Sequence, residues 1–180
     1  ARLGLPARQF VAAHNANDYL VRYLAGRSDA FDFSASVATL SNAMDVGAPS
    51  NFARLNALSA GAFSGDAGPS IAAYAVDDDT TTARMAATYD QDGYLPCPHT
   101  AVGLEVIERW RESSGEESMP VLTLATAHPA KFPEAVRLAI GSEPPRHQGL
   151  VALASAERHV VPLPARVDAL KDALLSVTSG

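Results

Sequence analysis

The segment VLTLATAHPAKFPEAV, residues 121–136, indicates the fold class of this chain. It opens with a short apolar run, Val121 to Ala125, of the kind that forms a buried strand. Polar residues follow from Thr126 to Lys131, and Pro133 suits the first turn of a helix that the apolar spacing extends to Gly141. A strand, a polar loop and a helix in this order are typical of open α/β sheets, which place a site where the strand ends.

The same alternation recurs outward from this segment. Further strands are predicted at Gln9–Ala13, Ile71–Val76 and Arg158–Leu163. Helices are predicted between them, most clearly after Thr100, where Val102, Val106, Ile107 and Trp110 form one apolar face. Gly103 lies in the first turn of that helix, and since glycine is costly there we expect something to approach it closely. The pattern predicts a layered α/β fold.

Composition limits the kind of partner. The 180 residues carry a net charge of −6, which argues against nucleic acid or an anionic membrane as the main partner. No apolar run is long enough to span a bilayer. The single cysteine, Cys97, fits a reducing compartment, so we predict a cytoplasmic protein.

The N-terminus has the pattern of a helix end. Leu3, Gly4 and Pro6 are arranged as the last helical residue, a C-terminal glycine and a following proline. Since no helix precedes them, we expect the chain to begin in mid-domain; a processed terminus is the alternative.

Several polar residues have a structural interpretation beside a functional one. Asn15 follows the first strand and either contacts a ligand or forms a turn. Asp77–Asp79 are better explained by a capped helix start, with Asp78 or Asp79 as the cap, than by a metal site. Cys97 lies between two prolines and has no His or Cys at metal spacing. These surroundings favour a packing role for Cys97 over a role as a nucleophile.

The remaining candidates are histidines and a lysine. The five histidines are scattered, which disfavours a zinc site, and no metal site is predicted. The polar loops around His14, His99 and Thr126–Lys131 form the candidate site. Lys131 is one of only two lysines. It is interpreted as a phosphate-binding cation, as a Schiff-base former, or as a surface residue at a helix start.

Five stretches resemble the threonine synthase family in the right order. They are FVAAHNANDYLVRYL at 10–24, ATLSNAMDVGAPSNFARL at 38–55, AVDDDTT at 75–81, CPHTAVG at 97–103 and LATAHPAKFPEAV at 124–136. Cys97 departs from the family, which commonly has an acidic residue there.

The resemblance implies a pyridoxal-phosphate enzyme of the tryptophan-synthase-β-like fold, fold type II, with a three-layer sheet that has helices on both faces. It implies a lyase that converts O-phospho-L-homoserine and water to L-threonine and phosphate. Residues 1–180 would be the C-terminal part of the catalytic region. The Schiff-base lysine and the cofactor-phosphate loop would belong to an N-terminal part that this chain lacks, and that part is the expected partner.

The resemblance also assigns roles to single residues. Thr126 matches the threonine whose hydroxyl bonds the pyridine nitrogen of the cofactor. Lys131, His128, His99 and Asn15 are the candidate substrate-binding residues, and no catalytic residue is expected in this chain. Two alternatives stay open: a non-catalytic binding or regulatory module derived from the fold, and a related pyridoxal-phosphate lyase with a different amino-acid substrate.

Overall fold

A computed structural model describes residues 7–26, 35–59 and 70–178 of the chain. The predicted helix end at Leu3 and Gly4 therefore lies outside the described residues. The chain divides into two compact units, Ala1–Arg146 and His147–Gly180. The structure confirms a mixed α/β architecture.

A parallel pair of strands forms the sheet of the first unit. β1, Gln9–His14, pairs with β2, Ser70–Ala75, in a register that runs from Gln9 opposite Ser70 to His14 opposite Ala75. Both strands were predicted from their apolar runs, and the structure confirms them within one residue. The carboxyl ends of β1 and β2 therefore meet at one edge, where α/β folds place their sites.

Seven α-helices accompany the strands in the described part of the chain. They are α1, Tyr19–Leu24; α2, Phe52–Ser59; α3, Asp78–Asp92; α4, Pro98–Ser114; α5, Pro133–Ile140; α6, Gln148–Ala154; and α7, Val167–Thr178. Single 3-10 turns lie at Asn42–Met44 and Pro129–Lys131. None of the described helices is long and apolar enough to cross a membrane.

The starts of α3 and α4 differ slightly from prediction. Asp77, rather than Asp78 or Asp79, caps α3, and its carboxylate accepts a hydrogen bond of 2.8 Å from the Thr80 amide. Asp78 instead accepts hydrogen bonds from the Leu40 amide. α4 begins at Pro98 after Cys97, so Thr100 lies in the first turn and its hydroxyl is 3.2 Å from the Cys97 sulfur. These positions favour the structural interpretations of the acidic run and of the buried cysteine.

Two apolar clusters form the core of the first unit. In one, Met85 of α3, Ala101 of α4 and Val136 of α5 pack together. In the other, Val102 and Val106 of α4 pack with residues of both strands. α4 takes part in both clusters, so its position fixes that of the sheet and of α5.

The prediction of a strand at Val121–Ala125 is wrong for the described residues. Residues 121–126 form neither strand nor helix, because among the described residues β1 and β2 pair only with each other. Exposure still alternates along the segment: Leu122 is 87% and Leu124 73% exposed, while Val121 and Thr123 are half-buried. Such alternation is typical of an extended segment with one face against the protein.

The segment packs on α4 at the glycine singled out from the sequence. A β-carbon at Gly103 would lie 2.7 Å from the Thr123 hydroxyl oxygen, which is closer than side chains tolerate. The expected close approach to Gly103 is therefore made by Thr123. This contact holds the segment that leads to Thr126 against the first half of α4.

The second unit contains α6 and α7. The predicted edge strand at Arg158–Leu163 is wrong, since these residues form no strand or helix. The apolar stripe of α7 is largely exposed, with Val167 at 85% and Leu174 at 60%.

Candidate functional site

The carboxyl ends of β1 and β2 border two open pockets. One, of about 290 Å³, is lined by residues that follow β1 together with Val37, Val46 and Gly47. The other, of about 230 Å³, lies between Ala16, Asp18 and the end of β2 at Ala75–Asp77. None of the predicted site residues lines either pocket.

Asn15 follows β1 directly and is only 1% exposed. Its amide nitrogen lies 2.8 Å from both the Thr39 hydroxyl and the Asp45 carboxylate. Its carbonyl oxygen accepts hydrogen bonds from the backbone and side-chain amides of Asn17, at 3.0 and 2.9 Å. Both ends of the Asn15 side chain are thus bonded within the protein, and its predicted role as a substrate ligand stays a prediction.

Asn17 fixes a neighbouring segment through the backbone of Val37. Its carbonyl accepts from the Val37 amide at 2.8 Å, and its side-chain nitrogen donates to the Val37 carbonyl at 2.9 Å. A side-chain amide can hydrogen-bond both the N–H and the C=O of one residue. It thereby supplies the partners that this backbone would otherwise find in a neighbouring strand. Residues 35–39, which form no regular element, are fixed in this way.

Asp45 is the common acceptor of this region, which we call the asparagine network and define as Asn15, Asn17, Thr39, Ser41 and Asp45. One carboxylate oxygen accepts from the Thr39 amide at 3.0 Å, and the other from the Thr39 hydroxyl at 2.7 Å. The latter oxygen also accepts from Asn15 and, at 3.3 Å, from Asn17. Sequence reasoning missed Asp45. The available signal was an N-x-N pattern after a strand together with an aspartate in a turn-rich segment.

His14, the last residue of β1, belongs to the same edge. Its Nδ1 atom lies 3.2 Å from the Asn17 carbonyl, and its ring meets Tyr19 edge-on at 5.0 Å between centroids. Burial lowers the pKa of His14, while the Asn17 carbonyl and Asp18 oppose the shift. His14 is therefore a neutral, structurally bonded histidine at pH 7.

His99, in the first turn of α4, joins two other segments. Its Nε2 atom accepts a hydrogen bond of 3.1 Å from the Ala43 amide, in the Asn42–Met44 turn. Its ring lies 5.0 Å from that of Phe132, next to Lys131. Burial lowers the pKa of His99; the Asp45 carboxylate opposes the shift and the Lys131 ammonium adds to it.

The loop Thr126–Lys131 is more open. The side chain of Thr126 is exposed and makes no hydrogen bond to the described residues. His128 caps the Pro129–Lys131 turn by accepting from the Ala130 amide at 3.1 Å. Lys131 is exposed and lies close enough to act on the charge of His99.

The structure thus brings some predicted residues together and separates others. His99 is linked to Lys131 through Phe132, and to the asparagine network through the Asn42–Met44 turn. Asn15 lies inside that network, and Thr126 is bonded to none of the other candidates within the described residues. In the same part of the chain, no group of three or more His, Cys, Asp or Glu side chains is placed to hold a metal ion.

Comparison with known proteins identifies the relatives of this arrangement. Residues 100–174 match the family model of the threonine synthase C-terminal region. Threonine synthase from Serratia marcescens is 37% identical over 177 residues, which are 97% of this chain and 39% of that protein. The protein from Haemophilus influenzae is 39% identical over 145 residues, which are 79% of this chain and 32% of the relative.

The chain is similar to threonine synthases over nearly its whole length. Its fold agrees: it matches the crystal structure of threonine synthase from Escherichia coli with a TM-score of 0.74 and 33% identity, over 97% of this chain and 39% of that one. The PLP-bound threonine synthase from Brucella melitensis gives a TM-score of 0.70 at 30% identity, over 96% and 41% of the two chains. The chain spans about a third to two fifths of the length of these relatives. The resemblance carried by the five motifs is thereby confirmed.

Replacing Asp45 by asparagine tests the asparagine network. The variant keeps one oxygen acceptor but places an N–H group where the Thr39, Asn15 and Asn17 donors meet. We therefore expect its free energy of unfolding to fall by about 1 to 3 kcal/mol. The measurement is thermal and urea unfolding of the full-length protein. The matched control is Asp90→Asn, an exposed aspartate in α3, which should unfold like the wild type. Equal stability of the two variants would contradict the structural role of Asp45.

Proposed function

We propose that this chain is the C-terminal part of a pyridoxal-phosphate-dependent threonine synthase. The full enzyme would convert O-phospho-L-homoserine and water to L-threonine and phosphate, as a carbon–oxygen lyase. The observation that carries the proposal is the likeness to threonine synthases in both sequence and fold over nearly the whole chain. We further propose a cytoplasmic location, in keeping with the single buried cysteine.

The residues present fit one side of a cofactor site. The Thr126 hydroxyl is exposed and unbonded within the described residues, so it is free to donate to a pyridine nitrogen. Threonine is neutral, so it would leave that nitrogen largely unprotonated, whereas an aspartate would hold it protonated. Bound pyridoxal phosphate supplies an electron-withdrawing ring that lets protons leave the α- and β-carbons of the substrate amino acid. The lysine that binds it covalently and the loop for its phosphate would come from the N-terminal part of the enzyme.

We place the substrate phosphate near Lys131 and His128. Lys131 is exposed at the end of the 3-10 turn, where its ammonium can pair with a phosphate dianion. His128 belongs to the same turn, which it caps by accepting the Ala130 amide through Nδ1 at 3.1 Å. His99 and Asn15 are bonded to other protein groups and would support this surface indirectly.

The partner of this chain would be the remainder of the enzyme. Leu122 and Leu124 project from an extended segment that pairs with no strand in the described part of the chain. An exposed apolar segment with free backbone groups favours pairing with another strand. We propose that a strand of the N-terminal part covers it and so brings the catalytic lysine opposite Thr126.

The direct test is a product assay on the full-length enzyme. With pyridoxal phosphate and O-phospho-L-homoserine, we expect threonine and phosphate in equal amounts, measured by mass spectrometry and a phosphate assay. Phosphate with homoserine would indicate simple hydrolysis and contradict the proposal. Turnover of another amino acid instead would favour a related lyase, and cofactor binding without turnover a non-catalytic module.

Thr126→Ala tests the contact with the cofactor. Without the hydroxyl donor, we expect a shifted absorption spectrum of the bound cofactor and a fall in kcat of about tenfold or more. Thr82→Ala, which removes a hydroxyl bonded only within α3, should change neither quantity. An unchanged spectrum and kcat in Thr126→Ala would refute the assignment.

Lys131→Ala tests the contact with the substrate phosphate. Because charge-assisted hydrogen bonds are strong, we expect KM for O-phospho-L-homoserine to rise by roughly 10- to 100-fold. The matched control is Lys171→Ala, the other lysine of the chain, which is exposed on α7. If the two variants have the same KM as the wild type, Lys131 does not contact the phosphate.

A further inference from the structure

His99 connects three parts of the first unit. It belongs to the first turn of α4, receives the Ala43 amide on its Nε2 atom at 3.1 Å, and packs its ring 5.0 Å from that of Phe132. Ala43 lies in the Asn42–Met44 turn, between Ser41 and Asp45 of the asparagine network. Phe132 directly follows Lys131. A displacement of the His99 side chain would therefore disturb both the Asn42–Met44 turn and the packing of Phe132 beside Lys131.

The hydrogen bond to Ala43 fixes the protonation state of the imidazole. A backbone amide can only donate, so Nε2 must present its lone pair. A neutral ring then carries its proton on Nδ1. That atom is fully buried and has no hydrogen-bond partner among the described residues. The polar contact made by His99 in this part of the chain is thus the one through Nε2.

We infer that His99 is a positioning residue that acts as a neutral imidazole, holding the Asn42–Met44 turn through Nε2 while its ring supports Phe132 beside Lys131. This rests on the function proposed above and specifies how His99 supports the proposed phosphate-binding surface. His99 does not contact the substrate. It keeps Lys131 and the asparagine network in fixed positions relative to each other.

Protonation would undo this arrangement. An imidazolium presents N–H groups at both nitrogens, so Nε2–H would face the Ala43 N–H and the bond would be lost. The charged groups that act on the ring are Asp45, beyond the turn, and Lys131, beyond Phe132. Since burial lowers the pKa of His99, the neutral form dominates at pH 7 and is lost only as the pH falls through a value below 6.5.

Two substitutions distinguish the roles of Nδ1 and Nε2 of His99. In His99→Gln the side-chain oxygen can reach the Nε2 position and accept from Ala43, but nothing replaces Nδ1–H. In His99→Asn a donor can replace Nδ1–H, but the side chain is too short to reach Ala43. In the full-length enzyme we expect kcat/KM of the glutamine variant within about twofold of wild type at pH 8, and that of the asparagine variant lower by about tenfold.

The dependence of kcat/KM on pH is a further test, because a residue that only fills space would not change it. As pH falls, kcat/KM of the wild type should decline through the pKa of His99, and this step should be missing from His99→Gln. The substrate phosphate also titrates near pH 6, so the comparison between the two proteins isolates the histidine. His159→Gln, an exposed histidine of the second unit, should keep the wild-type profile.

A measurement independent of turnover is the tautomer of His99. Nitrogen NMR of the full-length protein with labelled histidine should show Nδ1 protonated and Nε2 unprotonated at pH 8, with a pKa below 6.5. Protonated Nε2 at pH 8 would overturn the inference whatever the variants do. Absence of turnover in the wild type would refute the proposed function, while the NMR result would still decide on His99.

The kinetic outcomes that would overturn the inference are also distinct. An active asparagine variant beside an impaired glutamine variant would mean that Nδ1 donates to a ligand or to another part of the enzyme. Wild-type activity in both, or equal losses in both at an unchanged melting temperature, would mean that the Nε2 bond has no positioning role.

Discussion

The carboxylate of Asp45 is the interaction on which this arrangement depends. It accepts the amide and hydroxyl of Thr39 and the side-chain amides of Asn15 and Asn17. Buried amides left without partners would each cost about 1 to 3 kcal/mol, so the network is stable only if nearly every group is bonded. One half-buried carboxylate thus anchors a segment without regular structure against the end of β1.

The effect of this anchor extends to the other side of the site. The Asn42–Met44 turn lies between Thr39 and Asp45 of the network, and its Ala43 amide donates a hydrogen bond to His99 of α4. α4 in turn contributes to both apolar clusters and receives Thr123 at Gly103. The loop from Thr126 to Lys131 is therefore held at its start by the Thr123 contact and at its end by the packing of Phe132 on His99. Thr126 and Lys131 stay exposed between these two contacts, and they are the residues proposed to meet cofactor and substrate.

Much of this fold was predictable, because local patterns decide local structure. The apolar runs of β1 and β2 and the apolar face of α4 were sufficient to place these elements. Val121–Ala125 had an equally good pattern, yet a strand exists only where a neighbouring edge supplies its hydrogen bonds. The start of α3 was displaced by one or two residues because three adjacent aspartates can each cap a helix, and tertiary contacts decide among them.

The candidate site was only partly predictable for a related reason. Sequence motifs indicated Thr126, His128 and Lys131, which follow one another in a single loop. The sequence leaves Asn15 as a ligand or a turn residue. The Thr39 and Asp45 groups that its side-chain nitrogen contacts lie 24 and 30 positions away, so the local sequence does not reveal them. Asp45 was missed because its own surroundings are those of any aspartate in a turn, and the N-x-N pattern that calls for an acceptor begins 30 positions earlier, at Asn15.

We propose that this chain forms one wall of an active site whose other wall belongs to the N-terminal part of the enzyme. The most direct measurement is reconstitution from the two parts, produced separately and mixed with pyridoxal phosphate and O-phospho-L-homoserine. We predict phosphate release from the mixture and from neither part alone, with the two parts eluting as one complex. Phosphate release by the 180-residue chain alone, or an inactive complex from two parts whose full-length enzyme is active, would contradict the account.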